Sequence, residues 1–264
     1  MKPSEQSFPV ARVPEKVMEE SQAWYSRGDA KLLYEFLPED NSLQSHSLRD
    51  AIAIFDQVST DENEITVVDL GCGMGASYDA FRRKNKNTRW LGLDIADSPE
   101  ANAQARRPLC FCTYDGVQIP LAENSVDIVY SRQVFEHVRH PEALLSETHR
   151  VLKPGGFFVG STSHLEPFHS RSFWNYTPYG FCTLLQDAGF QSIGVRPGID
   201  SLTLITRRLF GFVGLSDLFG PFFTLESPTN LFLEVGLRLL RQPVKRRNFF
   251  KLLFSGHFCF LARK

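Results

Sequence analysis

The chain has 264 residues, 42% hydrophobic and 22% charged, with a net charge of −1 from 29 basic and 30 acidic side chains. This composition suits one folded domain with room for an insertion and excludes an overall disordered or collagen-like chain. It also lacks the basic excess of a nucleic-acid binder, so no nucleic-acid partner is expected. Residues 1–14 hold three prolines and are predicted to be extended. The segment MKPSEQSFPV contains no apolar core of signal-peptide length. Helical spacing follows at 15–27 and again at 43–57, where Leu48, Ile52 and Phe55 recur on one face.

Regular alternation begins at Ile65. ITVVDL is a short β-branched run ending at a glycine, and a helix-compatible stretch covers 76–86. RWLGLDI, PLCFCTYD and SVDIVYS read as the next three strands. The stretch 141–152 is amphipathic, with Leu144, Leu145, Thr148, Val151 and Leu152 along one face. Pro154-Gly155-Gly156 is predicted to break it, and FFVGSTS forms the fifth strand. A helix at 178–188 ends at Gly189, FQSIGVR is the sixth strand and GHFCFLA the seventh. Strands alternating with helices predict a mainly parallel α/β sheet covered on both faces. About 60 residues separate the last two strands. That is long for a loop, so helices are expected there, including 230–241.

Charge and aromatics concentrate at the C-terminal end. Residues 196–264 carry eleven basic and four acidic side chains, 11 − 4 = +7, and eleven of the 23 phenylalanines. QPVKRRNFFKLLFSGHFCF, at 242–260, has the composition of a segment lying on an anionic surface, so peripheral membrane contact is an expectation. The five cysteines include no C-x-x-C pair, which fits a reducing, cytoplasmic compartment. No apolar run is long enough to span a membrane.

The first strand runs into Asp69-Leu70-Gly71-Cys72-Gly73-Met74-Gly75. Glycines there permit a tight turn and close ligand approach before a helix N-terminus. Asp94 closes the second strand, where a carboxylate can accept both ribose hydroxyls. Such a turn could serve a dinucleotide. However, Asp69, two residues before the first glycine, would repel a pyrophosphate and attract an ammonium. S-adenosylmethionine, which carries an ammonium, a sulfonium and no phosphate, suits the pair Asp69 and Asp94 better than NAD does.

Taken together, VVDLGCGMG, LGLDI, YDGVQIPLAENSVDIVYS and RVLKPGG resemble the successive motifs of class I S-adenosylmethionine-dependent methyltransferases, and more narrowly of methyltransferase type 11. The resemblance implies a Rossmann-like seven-stranded sheet in the order 3-2-1-4-5-7-6, with the last strand antiparallel. It implies a single domain over 1–264: an N-terminal helical segment (1–64), a cofactor-binding core (65–197), an insertion (198–255) and a last strand (256–264). By the same resemblance Asp69, Gly71, Cys72, Gly73 and Gly75 hold the methionine part of S-adenosylmethionine. Asp94 with Ile95 holds the ribose, Asp115 with Gly116 meets the adenine, and Ser131, Arg132 and Gln133 line the mouth beside the methionine end.

An oxygen acceptor also needs a base, and histidine is the natural one near neutral pH. His137, just past the fourth strand, is the first candidate, and His164, just past the fifth, the second. Some related methyltransferases bind a divalent ion with E-x-x-E-H and a later histidine. Here Gln133 replaces the first carboxylate ahead of Glu136-His137, so no resident metal is expected. The aromatics of HLEPFHSRSFWNYTPYGF suit a sugar ring or flat scaffold. That segment also resembles methyltransferases that accompany bacterial polysaccharide and glycan assembly. The acceptor is therefore expected to be a small molecule or a glycan. Carbon or nitrogen methylation of a lipid and a non-catalytic cofactor-binding module are the alternatives.

Overall fold

The β-branched runs identified above pair into a single seven-stranded sheet. Its strands are β1 (Thr66–Leu70), β2 (Arg89–Ile95), β3 (Phe111–Tyr114), β4 (Val126–Arg132), β5 (Leu152–Ser163), β6 (Gln191–Pro197) and β7 (His257–Arg263). In this computed structural model residues 29–40, 42–60, 63–100, 109–212 and 227–264 are described. The expectations for 1–14 and 15–27 lie outside them. Two units divide the chain, Met1–Glu35 and Phe36–Lys264. The described helix of the first is α1 (Asp29–Tyr34). All seven strands lie in the second, with α2 (Ser47–Val58), α3 (Tyr78–Lys84), α4 (Pro141–Val151), α5 (Pro178–Asp187), α6 (Ser201–Phe212), α7 (Pro228–Leu239) and α8 (Val244–Leu253).

The strand order is β3-β2-β1-β4-β5-β7-β6. Pairs among β1 to β5 are parallel, whereas β7 runs antiparallel between β5 and β6. Strand β1 lies between β2 and β4, so the chain switches direction there and leaves a crevice at the strands' carboxyl ends.

Side-chain alternation divides the core into two layers. On one face Ala51, Ile54 and Phe55 of α2 recur at helical spacing and pack with Phe81, Trp90, Ile128, Tyr130 and Val159. The Phe81 ring sits 5.5 Å from Phe55 and 6.2 Å from Tyr130. On the other face Phe158 meets Phe260 at 4.8 Å and Phe135 at 5.7 Å, and Phe181 of α5 meets Phe260 at 4.9 Å. Part of the phenylalanine excess therefore fills this second layer rather than a ligand surface.

One boundary differs from the sequence expectation. The helix ends at Val151, ahead of Pro154-Gly155-Gly156, but the strand does not wait for Phe157: β5 begins at Leu152 and runs through the tripeptide to Ser163. The ladder to β4 shifts register, from Val126 opposite Leu152 to Ile128 opposite Phe157, so the extra residues of β5 bulge out. The Gly155 amide is instead satisfied by the Lys264 carbonyl at 2.9 Å.

The described residues between β6 and β7 are mostly helical, as the length of that stretch required, but its basic residues are not all free. In α8, Arg247 Nε lies 3.0 Å from Glu234 Oε1, and the buried Lys251 Nζ lies 3.0 Å from Glu234 Oε2. Burial pushes the Lys251 pKa down, against the pull of Glu234. Glu234 is thus the counter-charge that lets α8 pack on α7. Removing one partner of a buried pair strands the other, at about 3–5 kcal/mol. Glu234→Ala should therefore lower unfolding free energy by about 3 kcal/mol in urea titrations. A change below about 0.5 kcal/mol would mean that the network is solvated.

Candidate active site

At the carboxyl end of β1, Asp69 is buried, with 4% of its surface exposed. Ser77 Oγ donates to Asp69 Oδ2, and Trp90 Nε1 donates to Ser77 Oγ at 2.9 Å. Burial raises the Asp69 pKa to about 7, and the nearby Asp94 charge adds to the rise against the Ser77 hydrogen bond. The turn that follows needs glycine for two reasons. Gly71 has φ +69°, and a Cβ there would meet Val134 Cγ2 at 2.3 Å. Gly73 has φ +49°, and a Cβ would find nothing within 4 Å. The first glycine permits close chain approach, and the second faces open space, as a ligand cradle requires.

Asp94 ties this turn to β2. Its Oδ2 accepts the Gly73 amide at 3.1 Å and its Oδ1 the Ile95 amide at 2.8 Å. The amides of Gly71 and Cys72 both reach the Leu93 carbonyl, at 2.8 and 3.1 Å. The Gly75 amide reaches the Cys72 carbonyl at 2.8 Å, so Asp69, Gly71, Cys72, Gly73, Gly75, Asp94 and Ile95 are brought to one place.

Asp115 and Gly116 lie farther out, after β3. Asp115 Oδ1 accepts from Val117 and Gln118 at 2.9 and 2.7 Å, and these bonds hold its pKa below the usual carboxylate range. A cavity of about 430 Å³ opens beside it, lined by Tyr114, Gln118, Glu147 and Arg150 among others. The glycine turn does not line that cavity, so its size says nothing about the crevice over β1.

At the end of β4, Ser131 pairs with Leu70 of β1, and its buried Oγ has no hydrogen-bond partner. Arg132 is exposed. Gln133 takes φ +54°, an unusual conformation for a side chain other than glycine. Its amide donates to the Ser161 carbonyl at 2.9 Å, and its side chain bridges Ser161 and Ser163 at 3.2 and 3.3 Å.

The short 3-10 turn Phe135–His137 follows. Glu136 is fully buried and accepts from Thr162 Oγ1 at 3.0 Å, while Ser163 Oγ, whose one hydrogen goes to the closer Glu166, stands 3.2 Å away. Its neighbour His137 packs edge-on against His169, with ring centres 5.1 Å apart. A carboxylate oxygen of Glu136 and one ring nitrogen from each histidine lie within 4.8 Å of one another. His137 Nδ1 is buried without a partner.

His164 is not part of this group. Its Nδ1 contacts the Tyr176 carbonyl at 2.9 Å, and burial pushes its pKa down. The downstream histidine beside Glu136 and His137 is thus His169.

Sequence reasoning also missed Glu166, Arg208 and His257. Glu166 is buried and receives Ser163 Oγ and the Arg208 guanidinium. His257 Nε2 stands 2.6 Å from its Oε2, and His169 Nδ1 stands 3.5 Å from its Oε1. Burial pushes the His257 pKa down to about 4, leaving Arg208 as the positive partner. Only a charge amid aromatics in HLEPFH hinted at Glu166. His257 and Arg208 gave no local signal.

Comparison with known proteins bears on this edge of the sheet. Residues 68–160, from β1 into β5, match the family described as a methyltransferase domain. Those residues carry a methyltransferase domain, within a sheet of the order expected for the class I S-adenosylmethionine-dependent enzymes. A Mycolicibacterium smegmatis protein named "Probable S-adenosylmethionine-dependent methyltransferase" is 34% identical over 157 residues, 54% of this chain and 59% of the relative. An "Uncharacterized methyltransferase" of Mycobacterium bovis is 39% identical over 108 residues, 39% of this chain and 41% of the relative. The chain thus spans about half the length of the curated relatives it matches.

Solved structures share the fold. A SAM-dependent methyltransferase from Archaeoglobus fulgidus aligns with TM-score 0.53 at 16% identity, over 95% of this chain and all of the other. Haemonchus contortus phosphoethanolamine N-methyltransferase 2, in complex with S-adenosyl-L-methionine, aligns with TM-score 0.51 at 17% identity, over 97% of this chain and 61% of the other.

The methyltransferase domain's residues fit this cofactor. Open space lies over Gly73, Asp94 closes β2 beside it, where the resemblance implies a ribose, and a buried carboxylate at Asp69 suits a cation. Asp94→Ala should weaken S-adenosylhomocysteine binding by about 1.5–3 kcal/mol in calorimetry, the worth of hydrogen bonds to a charged group. Asp69 holds its proton up to about pH 7 in the free protein. An ammonium beside it favours the ionised form, so binding displaces that proton. Affinity should therefore rise as pH increases from 5 to about 7, with proton release that Asp69→Asn abolishes. A flat profile would remove Asp69 from the ammonium site.

Proposed function

We propose that this chain transfers the methyl group of S-adenosylmethionine to a hydroxyl of a small-molecule or glycan-type acceptor, with His137 as the general base. The observation that carries this reading is the unpartnered, buried Nδ1 of His137, grouped with Glu136 and His169 just after Val134, which packs on Gly71. A sulfonium methyl is already activated, so binding does most of the work by alignment and water exclusion. The acceptor oxygen must lose a proton, and a ring nitrogen near a carboxylate can take it and remain stabilised as a cation.

The loop after β5 supports an acceptor site at this position. Its Phe173 and Trp174 amides bond the Glu136 carbonyl at 2.7 and 3.2 Å, which holds the loop over the 135–137 turn. Trp174 Nε1 donates to the Val138 carbonyl at 2.8 Å, and Arg139 stacks 5.1 Å from the Phe173 ring centre. Phe168, Phe173 and Trp174 remain exposed, so aromatic faces are available to a sugar or a flat ring.

The test is transfer from methyl-labelled S-adenosylmethionine into host extract, with label partitioned between aqueous and organic phases. Label in the aqueous phase is expected. His137→Ala should lower turnover about 100-fold or more while leaving S-adenosylhomocysteine affinity unchanged. Full activity in that variant would overturn the base assignment and favour carbon or nitrogen methylation. Tight cofactor binding with no product from any extract would favour a non-catalytic module.

A further inference from the structure

The insertion between β6 and β7 presents apolar side chains to solvent. Of the eighteen large hydrophobic residues exposed among the described residues, ten lie between Leu202 and Phe254. They are ordered along the helices. Leu202, Ile205 and Leu209 form one stripe of α6, exposed by 63%, 44% and 57%. On α7, Leu231, Phe232, Val235 and Leu239 fall within one third of the helix circumference. A helix packed on a soluble core shows the opposite arrangement, with its apolar stripe inward. Both helices pack against each other. Patches of this kind mark interaction sites.

Charge identifies the occupant. The described part of the insertion contains two acidic residues, Asp200 and Glu234, and both are buried. Asp200 is consumed by its bonds to Thr203, and Glu234 by Arg247 and Lys251. Arg238, at the edge of the α7 stripe, and Arg241 and Arg246, just beyond it, are exposed. The insertion's own exposed charge is therefore positive among its described residues, and the exposed acids of the adjoining loop, Glu39 and Asp40, stand against Lys245 of α8 and Arg196 rather than Arg238 or Arg241. A second copy meeting this face across a two-fold axis would set arginine near arginine, which is unfavourable. A bilayer with anionic headgroups satisfies both features, taking aliphatic side chains into its interface and arginines to its phosphates. No helix of the described residues is long and apolar enough to cross a membrane, so the contact would be one of lying on the surface.

We propose that the insertion docks this protein peripherally on an anionic lipid bilayer through the outward faces of α6 and α7, with Arg238 and Arg241 at the lipid phosphates. This face is not the one the basic run of α8 suggested, since Arg247 and Lys251 are spent internally on Glu234. The inference is independent of the acceptor's identity.

The test is co-sedimentation of the full chain with vesicles of phosphatidylcholine alone and of phosphatidylcholine with phosphatidylglycerol. Wild type should sediment with the anionic vesicles only, and salt should weaken binding. Phe232→Glu with Leu239→Glu should lose binding at least about tenfold, because two apolar side chains leave the interface. Arg238→Gln with Arg241→Gln should lose about fivefold per arginine, and this pair keeps the proposal falsifiable if the first does not fold. S-adenosylhomocysteine calorimetry should be unchanged in both, which separates loss of docking from loss of the methyltransferase site. Wild type remaining in the supernatant with both vesicle types would overturn the proposal. So would a concentration-dependent dimer that Phe232→Glu converts to monomer, since a second copy would then own the face.

Discussion

Three carboxylates, Asp69, Glu136 and Glu166, lie buried at or just beyond the carboxyl ends of β1, β4 and β5. A buried charge costs several kcal/mol unless hydrogen bonds or a counter-charge replace the lost water. Each is partnered from a different part of the chain. Asp69 uses Ser77 at the start of α3. Glu136 uses Thr162 at the end of β5. Glu166 draws in Ser163 and Arg208 of α6, with the neutral His257 of β7 beside it. These partners determine which loops converge on the crevice and why the insertion is anchored beside it.

The same rule explains how the insertion treats its charges. Asp200 and Glu234 are both turned inward, one onto Thr203 and the other between Arg247 and Lys251. Burying both acids stabilises the packing of α6, α7 and α8 and leaves the exposed charge positive among the described residues of the insertion. A segment that reads as uniformly basic is thus divided by the fold into internal counter-ions and a free positive rim. The apolar stripes stay outside because the inward faces are already occupied by these polar contacts and by residues such as Leu204 and Leu252.

Much of the sheet was legible from local pattern. RWLGLDI matches β2 residue for residue, and the remaining strands differ by a few residues at their ends. Pro154-Gly155-Gly156 is an instructive exception. Past the first turn proline interrupts a helix and glycine weakens it, but a strand can carry them as a bulge when its neighbour shifts register. The glycine turn was legible because the need for positive φ is a property of one residue. The histidine that joins Glu136 and His137 was not. His164 and His169 share one short segment, and only the path of the loop, pinned by Phe173 and Trp174 to the Glu136 carbonyl, brings His169 inward.

The sequence by itself determined the alternation of strands and helices, the glycine turn with its two aspartates, and hence the type of cofactor. Those features depend on residues adjacent along the chain or one strand apart, where period and spacing fix geometry. The tertiary structure alone decided which histidine stands beside Glu136, that Arg208 and His257 serve Glu166, and which basic residues of the insertion face outward. Those outcomes arise from contacts between segments distant in sequence. There the cost of leaving a buried charge without a partner, which no local pattern encodes, selects the arrangement.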